Sequence, residues 1–273
     1  MKNILKLTLI VFVLLGLSAC VDKNFEIPEK EEENSVNNIV DEPNIEENEP
    51  QAEEIEESVA ESVITPKLPK TFNLEVLFAS QAPMGDWGLP YQEACEEASL
   101  IMVSKYKTNK ALDNDIMDEE IKKLVIWQEE KFGYYTDTGL GLVQIMAKEY
   151  FDLQTEISEE VTIDNIKQHL GQGRLIVVPT FGKALDNSNF TGDGPTFHML
   201  VIKGYDRNEF ITNDPGTRNG SNFKYKYNNL LESVYDLPFN EKGDYINLYD
   251  SGLSDEEKDE LMVTGSKRML IVY

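Results

Sequence analysis

Three side chains have types and an order that could do chemistry. Cys95 stands in Gln92-Glu93-Ala94-Cys95-Glu96-Glu97-Ala98-Ser99, and His198 heads an apolar run about a hundred residues later. Asp214 follows in Ile211-Thr212-Asn213-Asp214-Pro215. A thiol, an imidazole and a carboxylate are the parts of a nucleophile, the base that takes its proton, and the group that orients the base. The chain has only two cysteines, and the other, Cys20, sits in an N-terminal segment with a separate use. Cys95 is therefore left without a disulfide partner in the chain.

The elements that must position these residues can be read locally. Met199 to Ile202 and Phe210 to Thr212 are apolar strand segments around Gly204-Tyr205-Asp206-Arg207-Asn208, a turn signal. A hairpin centred on Asp206 places His198 opposite Asp214, on the same face and with Cβ atoms about 5 Å apart. The carboxylate could then hold one ring N–H and leave the other nitrogen for a thiol proton. Asn213 points to the opposite face, and a one-residue bulge would exchange it with Asp214 as third member. Cys95 opens a helical stretch, Glu93 to Tyr106, whose positive end favours a thiolate, as would a nearby imidazolium. Glu96 and Glu97 oppose this by charge, unless they serve to cap the helix start.

A bland reading stands beside this one: Cys95 as a small core residue and His198 as a satisfied strand histidine. His169, the only other histidine, falls in the last turn of a helix and reads as structural. Two histidines and one free cysteine give no metal-ligand spacing. Asp186, Asn187, Asn189 and Asp193 match no calcium loop and read as a polar loop. The sequence has no Gly-rich phosphate loop and no Gly-x-Ser-x-Gly elbow, so no cofactor or metal is expected.

Lys2, Lys6 and the apolar run Leu7 to Leu17 form a signal-peptide core too short to span a bilayer. Leu17-Ser18-Ala19-Cys20 resembles the bacterial lipobox, which implies lipidation at Cys20 and an anchor facing outside the cytoplasm. Each buried methylene of such a lipid adds about 0.8 kcal/mol. From Val21 to Lys70, 16 acidic residues stand against 4 lysines with no sustained apolar period, so this stretch reads as a disordered tether. Fifty such residues span about 40 Å as a flexible coil. The expected organisation is a signal at 1–19, a lipidated N-terminus and tether at 20–70, and one domain at 71–273. A net charge of −25 argues against nucleic acid and anionic headgroups as partners, leaving contact with the membrane to the lipid alone. The domain is expected to be monomeric.

Within the domain, Leu74 to Ala79 reads as a short strand, and Asp118 to Phe132 and Gly139 to Phe151 as helices. Thr162 to Leu170 is a further helix, with Thr162 as N-cap and Gly171 as C-cap. Leu175 to Pro179 reads as a buried strand, Asn228 to Asp236 as a helix and Arg268 to Tyr273 as a terminal strand. Residues 239–266 read as a long loop with a short helix. Helices first and strands later indicate an α+β domain.

Four blocks carry a resemblance to the peptidase C39-like family: Ser80 to Trp87, Tyr91 to Ser99, Phe197 to Asp206 and Thr212 to Thr217. The resemblance runs from about Val76 to Tyr273. It implies a papain-like fold, with N-terminal helices carrying the nucleophile packed on an antiparallel sheet carrying His and Asp. By position it makes Cys95 the nucleophile, His198 the base and Asp214 its orienting partner. It also implies a glutamine donor to the oxyanion, Gln81 by its Ser-Gln context or Gln92 by its nearness, with the Cys95 N–H as second donor. The implied function is an extracytoplasmic cysteine peptidase acting on a peptide or protein through a thioester. A cell-wall peptide amidase using the same triad and a non-catalytic papain-like binding module are the alternatives.

Overall fold

The computed structural model describes residues 68–249 and 251–273. Cys20, the apolar N-terminal run and the tether up to residue 67 lie outside the described residues. Among those described, no helix is long and apolar enough to cross a membrane.

An antiparallel sheet forms the centre. Its strands are β1 (Phe72–Asn73), β2 (Thr155–Ser158), β3 (Leu175–Phe181), β4 (Phe197–Tyr205), β5 (Glu209–Asn213), β6 (Phe223–Lys226) and β7 (Met269–Val272). They run in the order β2-β7-β3-β4-β5-β6, with β1 against the end of β4. The continuous apolar run of β3 suits its place, because helices cover both faces of the sheet. Leu175, Val177, Met199, Val201, Leu270 and Val272 face one cluster with α1 (Cys95–Lys107), α2 (Asn114–Phe132) and α3 (Leu140–Glu149). The alternate residues Ile176, Val178, Leu200, Ile202 and Ile271 face the other, with α4 (Ile163–Gly171) and α5 (Tyr227–Ser233). The fold is α+β, with the cysteine-bearing helix packed on the sheet that carries His198.

Local chemistry sets the boundaries. Asp113 caps α2 by accepting the Ile116 N–H at 2.8 Å, so this helix starts four residues before the expected Asp118. Gly133, at φ +82°, ends it as expected. Thr162 caps α4, but that helix runs through Gly171, and Gly173 rather than Gly171 takes the left-handed turn. In 239–266 the short helix is α6 (Asp255–Met262), started by a capping box between Ser254 and Glu257.

Leu74 to Ala79 is not a strand. The Asn213 amide takes the carbonyls of Val76 and Leu77 (3.2 and 3.1 Å), a tie made by a side chain rather than a neighbouring strand. Helices and strands also interleave more than expected, since β2 lies between α3 and α4.

The hairpin departs from its expected register in a way that preserves its consequence. Val201 opposes Asn213 and Ile202 opposes Thr212, two residues away from a pairing centred on Asp206. The turn falls later, closed by the Asp206 N–H on Glu209 O, and a bulge at Lys203 takes back one residue. Side chains alternate with period two, so a shift of two leaves Asp214 on the His198 face and Asn213 on the other.

Candidate active site

Three elements meet at one end of the sheet. Ser99 Oγ donates to Met199 O at 3.3 Å, tying α1 to β4. One helical turn earlier, Cys95 is the first residue of α1, and one residue earlier on β4 is His198. The segment ahead of the helix is fixed from the other side: Gln81 N–H and Ser80 Oγ both donate to Pro215 O, at 3.0 and 3.1 Å. Cys95, His198, Gln81, Trp87, Phe190 and Arg218 all line one cleft of about 700 Å³. A more open groove of about 840 Å³ near the β4–β5 turn is lined by neither cysteine nor histidine.

His198 and Asp214 are joined directly. Nε2 lies 2.8 Å from Asp214 Oδ1, with both side chains buried. The Gly216 N–H donates to the same oxygen at 2.9 Å, while Asn187 Nδ2 (3.1 Å) and the Tyr225 hydroxyl donate to Oδ2. Burial alone would raise the Asp214 pKa. The charge and hydrogen bond of His198, with Tyr225 and Gly216, outweigh it and hold the carboxyl below its usual range. Phe190 packs edge-on against the imidazole, with centroids 5.3 Å apart and planes at 81°. With Nε2 held by Asp214, Nδ1 is the nitrogen left to receive a proton.

Asn187 and Tyr225 are partners that the sequence reading did not single out. Asn187 belongs to the segment that reads as a polar loop, yet it is buried against Asp214, one residue after the left-handed turn at Asp186 (φ 51°). Tyr225 reaches Asp214 from β6, an element the sequence reading did not place.

The surroundings of Cys95 differ from the expected activation. Its thiol donates to Glu96 Oε2 at 3.0 Å, and Glu96 is 1% exposed. Ala94 is the N-cap and makes no side-chain bond, while the Glu97 carboxyl accepts its own backbone N–H within the first turn. Glu96 Oε1 instead accepts the Thr138 N–H at 2.6 Å, and Glu97 accepts from the Gln128 amide. Burial, then Glu96, Glu97 and Asp137, push the thiol pKa well above its ordinary value. Burial also raises the acids themselves: Glu96 well above the carboxylate range, Glu97 to about 7, and Asp137, bonded to Glu93, to about 8. In this state the helix end does not prevail over two buried carboxyls and the half-buried Asp137.

Gln81, preferred over Gln92 as oxyanion donor on its Ser-Gln position, is in the cleft but occupied. Gln81 Nε2 donates to the carbonyls of Tyr91 and Gln92 at 2.9 and 3.1 Å, and its Oε1 is buried without a partner. Gln92 is exposed on the cleft edge. As the first residue of α1, Cys95 has an N–H with no intrahelical acceptor. His169 lies beside Arg174 Nη1 (2.9 Å) on α4 and is not among the cleft residues.

No curated protein matches the chain. A crystal structure of a Bacillus anthracis protein described as a C39-like peptidase is similar at a TM-score of 0.43. It shares 16% identity, over 75% of this chain and 98% of that one. The model of the Peptidase_C39 like family matches residues 73–245, more than half the chain and all three of Cys95, His198 and Asp214. The chain belongs to the Peptidase_C39 like family.

Proposed function

We propose that the chain is a cysteine peptidase, lipid-anchored through Cys20 outside the cytoplasm, that hydrolyses peptide bonds with Cys95, His198 and Asp214. The observation that carries this reading is the buried 2.8 Å His198–Asp214 bond on a cleft shared with a free cysteine. Family membership supports the reaction class. The lipobox resemblance and the acidic tether support the address.

In the proposed reaction the Cys95 proton passes to His198 Nδ1 as sulfur attacks the substrate carbonyl carbon. Asp214 stabilises the imidazolium and fixes the ring. The tetrahedral oxyanion is met by the Cys95 N–H and by Gln81, whose amide must release a carbonyl to reach it. His198 then protonates the leaving amine, and the Cys95 thioester remains. Water, losing its proton to His198, hydrolyses the thioester and restores the thiol.

The acidic setting of Cys95 favours one other reading, a binding module that keeps the shape without the chemistry. Digests of unfolded protein and of cell-wall muropeptides, with Cys95→Ala as control, test the choice. Cleavage lost with Cys95→Ala supports hydrolysis, and the substrate cut separates peptidase from amidase. Intact substrates of both kinds, with Cys95 no more reactive toward iodoacetamide than a free thiol, favour the module.

A further inference from the structure

Cys95 and Glu96 are adjacent on a helix, where neighbours ordinarily point apart. Here they meet at 3.0 Å because the Thr138 N–H, at 2.6 Å from Oε1, draws the Glu96 carboxyl back over the start of α1. Both side chains are buried, so water does not compete for the contact. A thiol has one proton, and while it points at Oε2 it is not offered to His198. The mechanism above leaves this carboxyl unused.

We propose that Glu96 is a positioning residue that gates the nucleophile, holding the Cys95 proton while ionised and releasing it when protonated. The inference rests on the reading of Cys95 as the nucleophile. With Glu96 ionised, removing the thiol proton would set two anions 3.0 Å apart in a buried site. With Glu96 protonated, its O–H can donate to sulfur, the thiol proton passes to His198 Nδ1, and a thiolate beside an imidazolium results. The extra proton on Glu96 comes from water, so the gate opens toward acid pH.

Other groups bear on the pair from each side. Glu97 follows on α1 with its carboxyl on Gln128, and Asp137, bonded to Glu93, faces it from the loop before α3. Tyr135 lies in the same loop, His198 lines the cleft on the sheet side, and Lys258 of α6 acts on Asp137. Burial and the neighbouring acids raise the Glu96 carboxyl, which moves the opening of the gate from strongly acid conditions toward neutrality.

Glu96→Gln tests the gate. It keeps an oxygen for the Thr138 N–H and turns an N–H toward sulfur, removing only the charge. The full chain is used with Cys20→Ser, so that Cys95 is its only thiol, and iodoacetamide labelling is followed from pH 5 to 9. The ratio of E96Q to wild-type rate should be near one at the acid end, where Glu96 is protonated, and rise toward about tenfold as Glu96 ionises with increasing pH, one unit of thiol pKa. A ratio that stays flat with pH, or a slower E96Q at every pH, overturns the gate. Should E96Q not fold, the wild-type S–H stretch decides: it should shift along a pH titration as Glu96 loses its proton, and a band that stays fixed throughout overturns the gate. His198→Ala separates the two readings. If it leaves labelling unchanged at every pH, nucleophile and gate fall together; if it slows labelling while the E96Q ratio is flat, only the gate falls.

Discussion

Replacing Asp214 with asparagine isolates the charge in the most heavily bonded group of the site. The carboxylate accepts four hydrogen bonds: His198 and Gly216 on Oδ1, Asn187 and Tyr225 on Oδ2. It is completely buried, so water replaces none of them. Asparagine can keep its oxygen toward His198 and Gly216, which turns its NH₂ toward Asn187 and Tyr225. The Tyr225 hydroxyl already accepts from Asn187 Nδ2 at 2.7 Å and can accept a second time only by turning its own proton away from residue 214. Asn187 cannot flip freely, because its Oδ1 already accepts from the Asn189 backbone and side chain at 3.0 and 3.1 Å. One donor therefore meets a donor, and the remaining bonds lose their charge. Bonds to charged groups contribute about 1.5–3 kcal/mol each against about 1 for neutral ones, so the expected loss is about 3 kcal/mol. For a domain of this size that lowers Tm by about 10 °C. Calorimetry of Asp214→Asn beside Tyr225→Phe, which removes one of the four bonds, gives the comparison. The tyrosine variant should lose less than Asp214→Asn and keep more activity. An Asp214→Asn protein within about 1 kcal/mol of wild type, or less affected than Tyr225→Phe, would refute the reasoning.

Stability should peak on the acid side of neutrality. Glu97 and Asp137 keep their protons in the fold to about pH 7 and 8 but lose them near pH 4 when unfolded. The folded state thus binds more protons between those limits, so stability falls as pH rises through the window and levels off above it. Glu97 alone accounts for about 3 kcal/mol of this slope. Asp214, held low, acts oppositely and loses its contribution as pH falls below its unfolded value. Urea unfolding from pH 3 to 9 checks both limbs, and a maximum above pH 8 would contradict them. Gly216→Ala places a Cβ 2.7 Å from His198 Cε1 at a residue without positive φ. Overpacking against the buried ring should cost about 1–3 kcal/mol of stability and slow turnover about tenfold to a hundredfold by displacing the ring; unchanged kinetics would remove the ring from the mechanism. Gln81→Ala should lower kcat by a factor on the order of 10²–10³ if its amide turns to the oxyanion. An effect on Tm without one on kcat would restrict Gln81 to bracing Tyr91 and Gln92.

The pairing of His198 with Asp214 was legible in the sequence because it depends on strand parity, which survived a register two residues off. The bulge that trimmed the offset from three residues to two, and so kept the parity, sits at Lys203, a lysine inside an apolar strand whose amine is drawn to Asn73 Oδ1 and Leu74 O at 3.0 and 2.8 Å. Nothing in the local pattern announces that partner, which lies 130 residues away. Leu74 to Ala79 misled for a related reason: Leu74, Val76, Phe78 and Ala79 pack into the core, Leu77 is exposed, and a side-chain amide takes the Val76 and Leu77 carbonyls. Strand β2, Thr155-Glu156-Ile157-Ser158, is polar and partly exposed at the sheet edge, so alternation gave no signal. The least legible feature was the burial of Glu96 and Glu97. Charged residues at a helix start ordinarily face water, and the burial of these two depends on the Thr138 N–H and Gln128 amide, which come from distant segments.

The most direct test of the mechanism is the covalent intermediate. The purified chain is mixed with an activated peptide ester, quenched in acid and weighed by intact-protein mass spectrometry, then digested to locate the adduct. A thioester on Cys95 should form and clear in the wild type, be absent in Cys95→Ala, and form more slowly in His198→Ala. A wild-type chain that cleaves peptides without ever carrying an acyl group on Cys95, or one whose Cys95 acylates equally well without His198, would contradict the assignment.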